Sequence, residues 1–106
     1  MKEIKAFIHR NRIADVVRAL AAAEFHNLSV IDVKGMLQAL DTKERKYSIE
    51  IGSEVITEVK LELVCRGEER TAEAVRIIQE HGRTGQPEAG WIYISAIQAA
   101  LPIEAS

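Results

Sequence analysis

The chain has 106 residues, of which 47% are hydrophobic and 28% charged, a balance that supports one packed core without metal or disulfide and excludes a disordered chain. A net charge of −2 supplies no basic field for nonspecific nucleic-acid binding, so nucleic acid is not an expected partner. The longest apolar run, 19–23, falls far short of the ~20 residues that span a bilayer, the N-terminus lacks a signal-peptide core, and the single Cys65 fits a reducing compartment, so direct membrane insertion is not expected and a cytoplasmic location is.

Residues 2–9 set Ile4, Ala6 and Ile8 against Glu3, Lys5 and Phe7, the period of a strand with one covered face. Asn11 then offers an N-cap, and Ile13, Val16, Val17, Leu20, Ala21 and Ala23 recur at helical spacing, which predicts a helix running to Glu24 or Phe25. The stretch 28–36 is rich in β-branched residues and alternates Leu28, Val30 and Asp32 against Ser29, Ile31 and Val33, which predicts a second strand. A polar stretch, 38–58, is too long for a simple hairpin.

Alternation returns over 55–64, with Val55, Val59, Leu61 and Leu63 opposed to Ile56, Glu58, Lys60 and Glu62, and the turn at Arg66-Gly67 closes this third strand. The spacing of Ala74, Val75, Ile77 and Ile78 predicts a helix over 71–81 that Gly82 ends as a C-cap glycine. After the loop 82–90, Trp91-Ile92-Tyr93-Ile94 begins a fourth strand. The order β-α-β-β-α-β predicts an α+β, ferredoxin-like domain over 1–106: a four-stranded antiparallel sheet with two helices on one face. The other face carries Phe7, Val64 and an edge of Trp91, and burial against further copies of the chain is the economical way to cover it.

Several residues have plain structural readings. His9, His26 and His81 lack ligand spacing, so no metal site is expected. Cys65 reads as a small buried hydrophobe, and Trp91 and Tyr93 as packing aromatics, with base stacking as the other role open to Trp91. On spacing alone Gly35 and Gly85 are turn glycines, and Lys60 with Glu62 is a surface pair. No nucleophile triad, motif-borne acid pair or GxGxxG loop is present, so no catalytic residue is assigned and an enzyme is not expected.

Four segments, in order and at matching separations, resemble the PII signal-transduction family: Met1-Lys2-Glu3-Ile4-Lys5-Ala6-Phe7-Ile8, Leu28-Ser29-Val30-Ile31-Asp32-Val33-Lys34-Gly35, Val59-Lys60-Leu61-Glu62-Leu63-Val64, and Arg83-Thr84-Gly85 through Gly90. The long stretch 38–58 holds the place of that family's T-loop, and 82–90 that of its B-loop. The resemblance implies a homotrimer whose inter-subunit clefts bind an adenine nucleotide, with the T-loop engaging a target transporter or enzyme. It implies ligand-binding roles for Asn27, Leu28, Ser29, Lys34, Gly35, Met36, Leu37, Gln38, Glu62, Leu63, Val64, Arg83, Thr84, Gly85, Glu88, Ala89 and Gly90. Ser29 and Glu62 have the groups that fix a base or ribose, Val64 offers an apolar wall, the glycines let backbone amides approach a phosphate, and Lys34 and Arg83 are the cations for an anion.

The departures are specific. The B-loop reads Thr84-Gly85-Gln86-Pro87-Glu88-Ala89-Gly90-Trp91, without the family's two lysines, and 95–106 contains no Arg or Lys where the family has an Arg-x-Arg pair. Each lost charge-assisted contact removes about 1.5–3 kcal/mol of favourable interaction with a polyphosphate. AMP or ADP is therefore expected over ATP, with a small anion such as bicarbonate as a candidate second ligand by analogy with short PII-like proteins linked to bicarbonate transport. Ala39 stands where the family has a glutamine for magnesium and 2-oxoglutarate, and Ile51 where it has the modified tyrosine, with Tyr47 out of register. The alternative is a CutA-like trimer with a metal-tolerance or structural role.

Overall fold

In the computed structural model, which describes residues 1–32, 58–86 and 90–104, the elements run β1 (Lys2–His9), α1 (Ile13–Ala22), β2 (Leu28–Asp32), β3 (Glu58–Cys65), α2 (Glu68–His81) and β4 (Gly90–Ala96). The strands form one sheet in the order β2-β3-β1-β4, with every neighbouring pair antiparallel. This is the ferredoxin-like α+β arrangement that the element order predicts. Its register aligns whole rows of residues: Leu28, Leu63, Ile4 and Ile94 cross the sheet together, as do Asp32, Val59, Ile8 and Gly90 nearer the other end.

Alternation decides which side is core. Ile4, Ala6 and Ile8 of β1 and Leu61, Leu63 and Cys65 of β3 join one buried cluster with Val16 and Leu20 of α1 and Ala74, Ile77 and Ile78 of α2, so both helices cover the same face. Each large aliphatic side chain fully withdrawn from water there contributes about 1.5–3 kcal/mol. Burial also pushes the Cys65 thiol above its ordinary pKa, against the opposing influence of Arg70 and Thr71, which keeps it a neutral packing group.

The helix ends differ from those the sequence pattern suggests. Arg12 rather than Asn11 occupies the N-cap of α1; the Arg12 amide donates to His9 O at 2.8 Å, and no side chain caps the helix. The helix stops at Ala22, and Glu24 takes a φ of 67°, turning the chain before Phe25 re-enters the core. α2 starts three residues before the expected Thr71, directly after Gly67; Glu68 and Glu69 favour its positively polarised first turn, and Thr71 Oγ1 bonds back to Gly67 O at 2.8 Å. Gly82 does cap α2, yet with a right-handed φ of −88°. Glu58, which alternation places within the third strand, is the first residue of β3, and 55–57 lie outside the described residues.

The helix-free face holds the larger correction. Trp91 and Tyr93 are 57% and 54% exposed, not core residues, because the alternation of β4 turns them to the side that no element among the described residues covers. There Tyr93 meets Phe7 edge to face, with ring centroids 6.0 Å apart. Leu61→Ala should lower the unfolding free energy by about 2–5 kcal/mol in denaturant titrations at fixed protein concentration. Arg18→Ala, which removes only an exposed pair with Asp15, should leave the denaturation midpoint essentially unchanged in the same titrations.

Candidate functional site

The pairing of β2 with β3 places Ser29 directly opposite Glu62 on the helix-free face. Asn27, Ser29, Glu62, Leu63 and Val64 line a cleft of about 340 Å³ there, together with Met1, Glu3, Arg66 and Ala100. Lys60 donates to Glu62 at 2.7 Å, and this hydrogen bond, reinforced by the charges of Lys60 and Lys5, holds the Glu62 carboxyl below its ordinary 4.5 despite partial burial. Glu62 therefore stays an ionised acceptor throughout the neutral range, able to receive two hydrogen bonds from an amino group or a ribose edge. Val64, half-exposed beside it, supplies the apolar wall that a planar ring needs.

A second cleft, of about 540 Å³, opens at the other edge of the sheet. Arg83 and Gly90 line it, with Gln79 and Ile78 from α2, Trp91 and Ile92 from β4, and Phe7 from β1. Arg83 spends one donor on the last turn of α2, Nε to Gln79 O at 3.1 Å, and forms no ion pair with another described residue. Thr84 turns the chain, its hydroxyl accepting from the Gln86 amide at 3.3 Å, and Gly85 takes a φ of 84° in open space. Gly90 is more constrained: its φ is 151°, and a Cβ would collide with the Phe7 carbonyl oxygen, so β1 itself demands glycine.

The ten sequence-predicted residues within the described set thus fall into two groups. Asn27, Leu28, Ser29, Glu62, Leu63 and Val64 gather on the β2/β3 side, while Arg83 and Gly90 line the cleft at the β4 edge and Thr84 and Gly85 follow Arg83 in the turn, outside that lining. The two clefts share no residue. Lys34, Gly35, Met36, Leu37, Gln38, Glu88 and Ala89 lie outside the described residues, as does most of 38–58. Among the described residues no group of three or more His, Cys, Asp or Glu could hold a metal ion.

Sequence reasoning missed the scaffold around the first cleft. Arg70 lies over the Phe25 ring at 3.6 Å and donates to the carbonyls of Ala23 and Glu24 at 3.0 and 3.1 Å, fixing the bend that delivers Asn27 and Ser29. Arg66 read as a turn residue, yet it lines the cleft with Asn27, Ser29 and Glu62 and forms no ion pair with a described residue. At the root of the long segment, Arg10 grips Asp32 with two hydrogen bonds of 2.8 Å, a fork that needs residues 22 positions apart.

Comparison with known proteins adds independent findings. The profile of the family described as Nitrogen regulatory protein P-II matches residues 1–105. The chain is 34% identical over 99 residues to Nitrogen regulatory protein P-II 1 of Methanothermobacter thermautotrophicus, covering 92% of this chain and 84% of that one. It is 31% identical to the Nitrogen regulatory protein P-II of Rhodobacter capsulatus and 27% identical to that of Pyropia yezoensis, in each case covering 97% of this chain and 91% of the relative.

Backbone geometry at the two loop glycines separates their roles. Gly85→Ala should cost about 1–2 kcal/mol, the penalty of a left-handed residue in open space. Gly90→Ala should exceed it, reaching about 3 kcal/mol or more, because strain adds to a forced shift of β1. Thermal denaturation of the two variants side by side checks the order.

Proposed function

The chain belongs to the family of nitrogen regulatory protein P-II, and from that membership and its two half-clefts we propose that it binds an adenine nucleotide between copies of itself in a homotrimer. The observation that carries this reading is the strand order. Ser29 lies on one edge strand and Gly90 on the other, so the Ser29-Glu62-Val64 group and the Arg83-Gly90 group belong to opposite sides of one sheet. A ring of copies joined head to tail brings unlike edges together and unites the two groups at each junction. Such a ring also covers the exposed Tyr93 and Trp91 on the helix-free face.

In the united cleft Glu62 and Ser29 take the base or ribose, Val64 flanks the ring, and Arg83 and Arg66 are the cations within reach of a phosphate. AMP and ADP suit this set better than ATP, because Trp91 and the Arg- and Lys-free stretch 95–106 leave the outer phosphates without charge-assisted partners. A small anion such as bicarbonate is the proposed companion ligand, held by Arg83 and Lys34. The 38–58 segment is the proposed surface for a target transporter or enzyme. Its roots support that role: Asp32, Val59, Ile8 and Gly90 share one row of the sheet, so a ligand contact at Gly90 and the start of the long segment lie at the same level of one continuous sheet.

Titration calorimetry with AMP, ADP and ATP, alongside light scattering of the eluted protein, tests the proposal. Saturable binding in the order ADP or AMP before ATP by a three-chain particle is expected, with Arg83→Ala weakening ADP about tenfold. Affinity should stay level from pH 8 to about pH 5 as far as Glu62 is concerned, and fall once the pH drops through its lowered pKa and the carboxylate is protonated. No nucleotide heat, or ATP bound most tightly and unaffected by Arg83→Ala, would contradict it.

A further inference from the structure

The bend that follows α1 leads directly into the cleft of Asn27, Ser29 and Glu62, and it carries a strained residue. Its amides are satisfied locally: Glu24 N donates to Ala21 O at 3.0 Å and Phe25 N to Leu20 O at 2.9 Å, the paired bonds of a Schellman turn. Such a turn needs a left-handed backbone at Glu24, where φ is 67°, a conformation that glycine takes freely and a glutamate resists. Among the described residues Glu24 is the one residue other than glycine with a positive φ.

The carbonyls of the bend are held from far along the chain. Arg70 donates Nη1 to Ala23 O at 3.0 Å and Nη2 to Glu24 O at 3.1 Å, across 47 and 46 residues, while its guanidinium lies 3.6 Å from the centre of the Phe25 ring. Glu73, at 3.3 Å, steadies the same guanidinium. Beyond this tether His26 and Asn27 are exposed, and a void of about 170 Å³ lies beside them. The void shares Asn27, Leu63, Val64 and Arg66 with the cleft that Ser29 and Glu62 line. Open space gives His26 and Asn27 little packing, so their direction is inherited from the bend behind them and from Leu28, where β2 begins its pairing with β3.

We propose that Arg70 is a positioning residue for nucleotide binding. It stands outside the lining of the cleft and acts through the bend: by holding Glu24 in its left-handed turn it fixes the path by which Asn27 and Ser29 arrive beside Glu62 and Val64. Without the tether the bend relaxes, and a ligand must reorder it on binding. That penalty falls on the base and ribose, which AMP and ADP share, and not on the phosphates. The inference rests on the nucleotide reading above and adds to it a residue of α2.

Titration calorimetry of the full chain with AMP and ADP, run well below the unfolding midpoint of each variant, reads this role. Arg70→Met, which keeps the bulk over Phe25 and lacks the donors, should weaken both ligands about tenfold and leave the ratio of their affinities unchanged. Arg70→Lys, which keeps the charge and lacks the planar fork, should weaken both by at least about threefold, and it carries the test if Arg70→Met does not fold. Adding Glu24→Gly to Arg70→Met should recover about threefold or more, because glycine holds the left-handed turn without a tether. Wild-type affinity in the folded Arg70 variants would reduce Arg70 to a stabilising contact and overturn the proposal, as would a changed ratio of AMP to ADP affinity, which would place Arg70 at the phosphates. If the wild-type chain binds neither nucleotide, the nucleotide reading itself falls; if it binds them and the Arg70 variants bind them equally well, that reading stands and the positioning role alone falls.

Discussion

Two antiparallel central strands, β1 and β3, alternate in phase, and this single constraint divides the molecule. Ile4, Ala6 and Ile8 with Val59, Leu61, Leu63 and Cys65 face the helices, so Glu3, Lys5, Phe7, Lys60, Glu62 and Val64 must face the other way. The chain has no element among its described residues to cover that second side. Charges answer each other across the strands, as where Lys5 stands opposite Glu62, and the aromatic residues gather at the β4 edge. A sheet finished on one face and furnished with paired charges and rings on the other is suited to meeting something else.

The strand order then determines where chemistry can happen. Because β2 and β4 are the two edges, the carboxylate and hydroxyl group at Glu62 and Ser29 and the arginine and glycine group at Arg83 and Gly90 are separated within one chain. Membership of the P-II family and this separation lead to the same proposal: a ligand cleft assembled at the seam between copies, with its occupancy reported through the sheet to the root of the long segment. The resemblance to that family implies a lysine at the place of Trp91, and its lack of positive charge underlies the proposed preference for fewer phosphates.

Most of the architecture was legible in the sequence because burial follows period. The buried positions of β1 and β3 are those that alternation selects, and three of the four expected in α2, Ala74, Ile77 and Ile78, are buried, with Thr71 in place of the partly buried Val75; Gly67 and Gly82 punctuate as their positions suggest. Helix starts were less legible: Asn11 is a good capping residue by type, but the hydrogen bond between the Arg12 amide and His9 O fixes the turn one residue later. Trp91 and Tyr93 misled because aromatic composition signals burial, whereas the side of the sheet they face depends on pairing with β1. Arg70 and the Arg10–Asp32 fork were invisible, since their partners lie 22 to 47 residues away and include backbone carbonyls that no motif encodes.

The seam itself is open to a complementation measurement. Chains with Glu62→Ala and chains with Arg83→Ala each damage one half of the cleft, and each assembly alone should bind ADP weakly. When the two are unfolded and refolded together, head-to-tail rings place an intact Glu62 side against an intact Arg83 side at about a quarter of the junctions. Calorimetry should then recover near-wild-type affinity at about that fraction of sites. Affinity that stays weak at every site of the mixed rings would show that both halves belong to one chain, and would contradict the account.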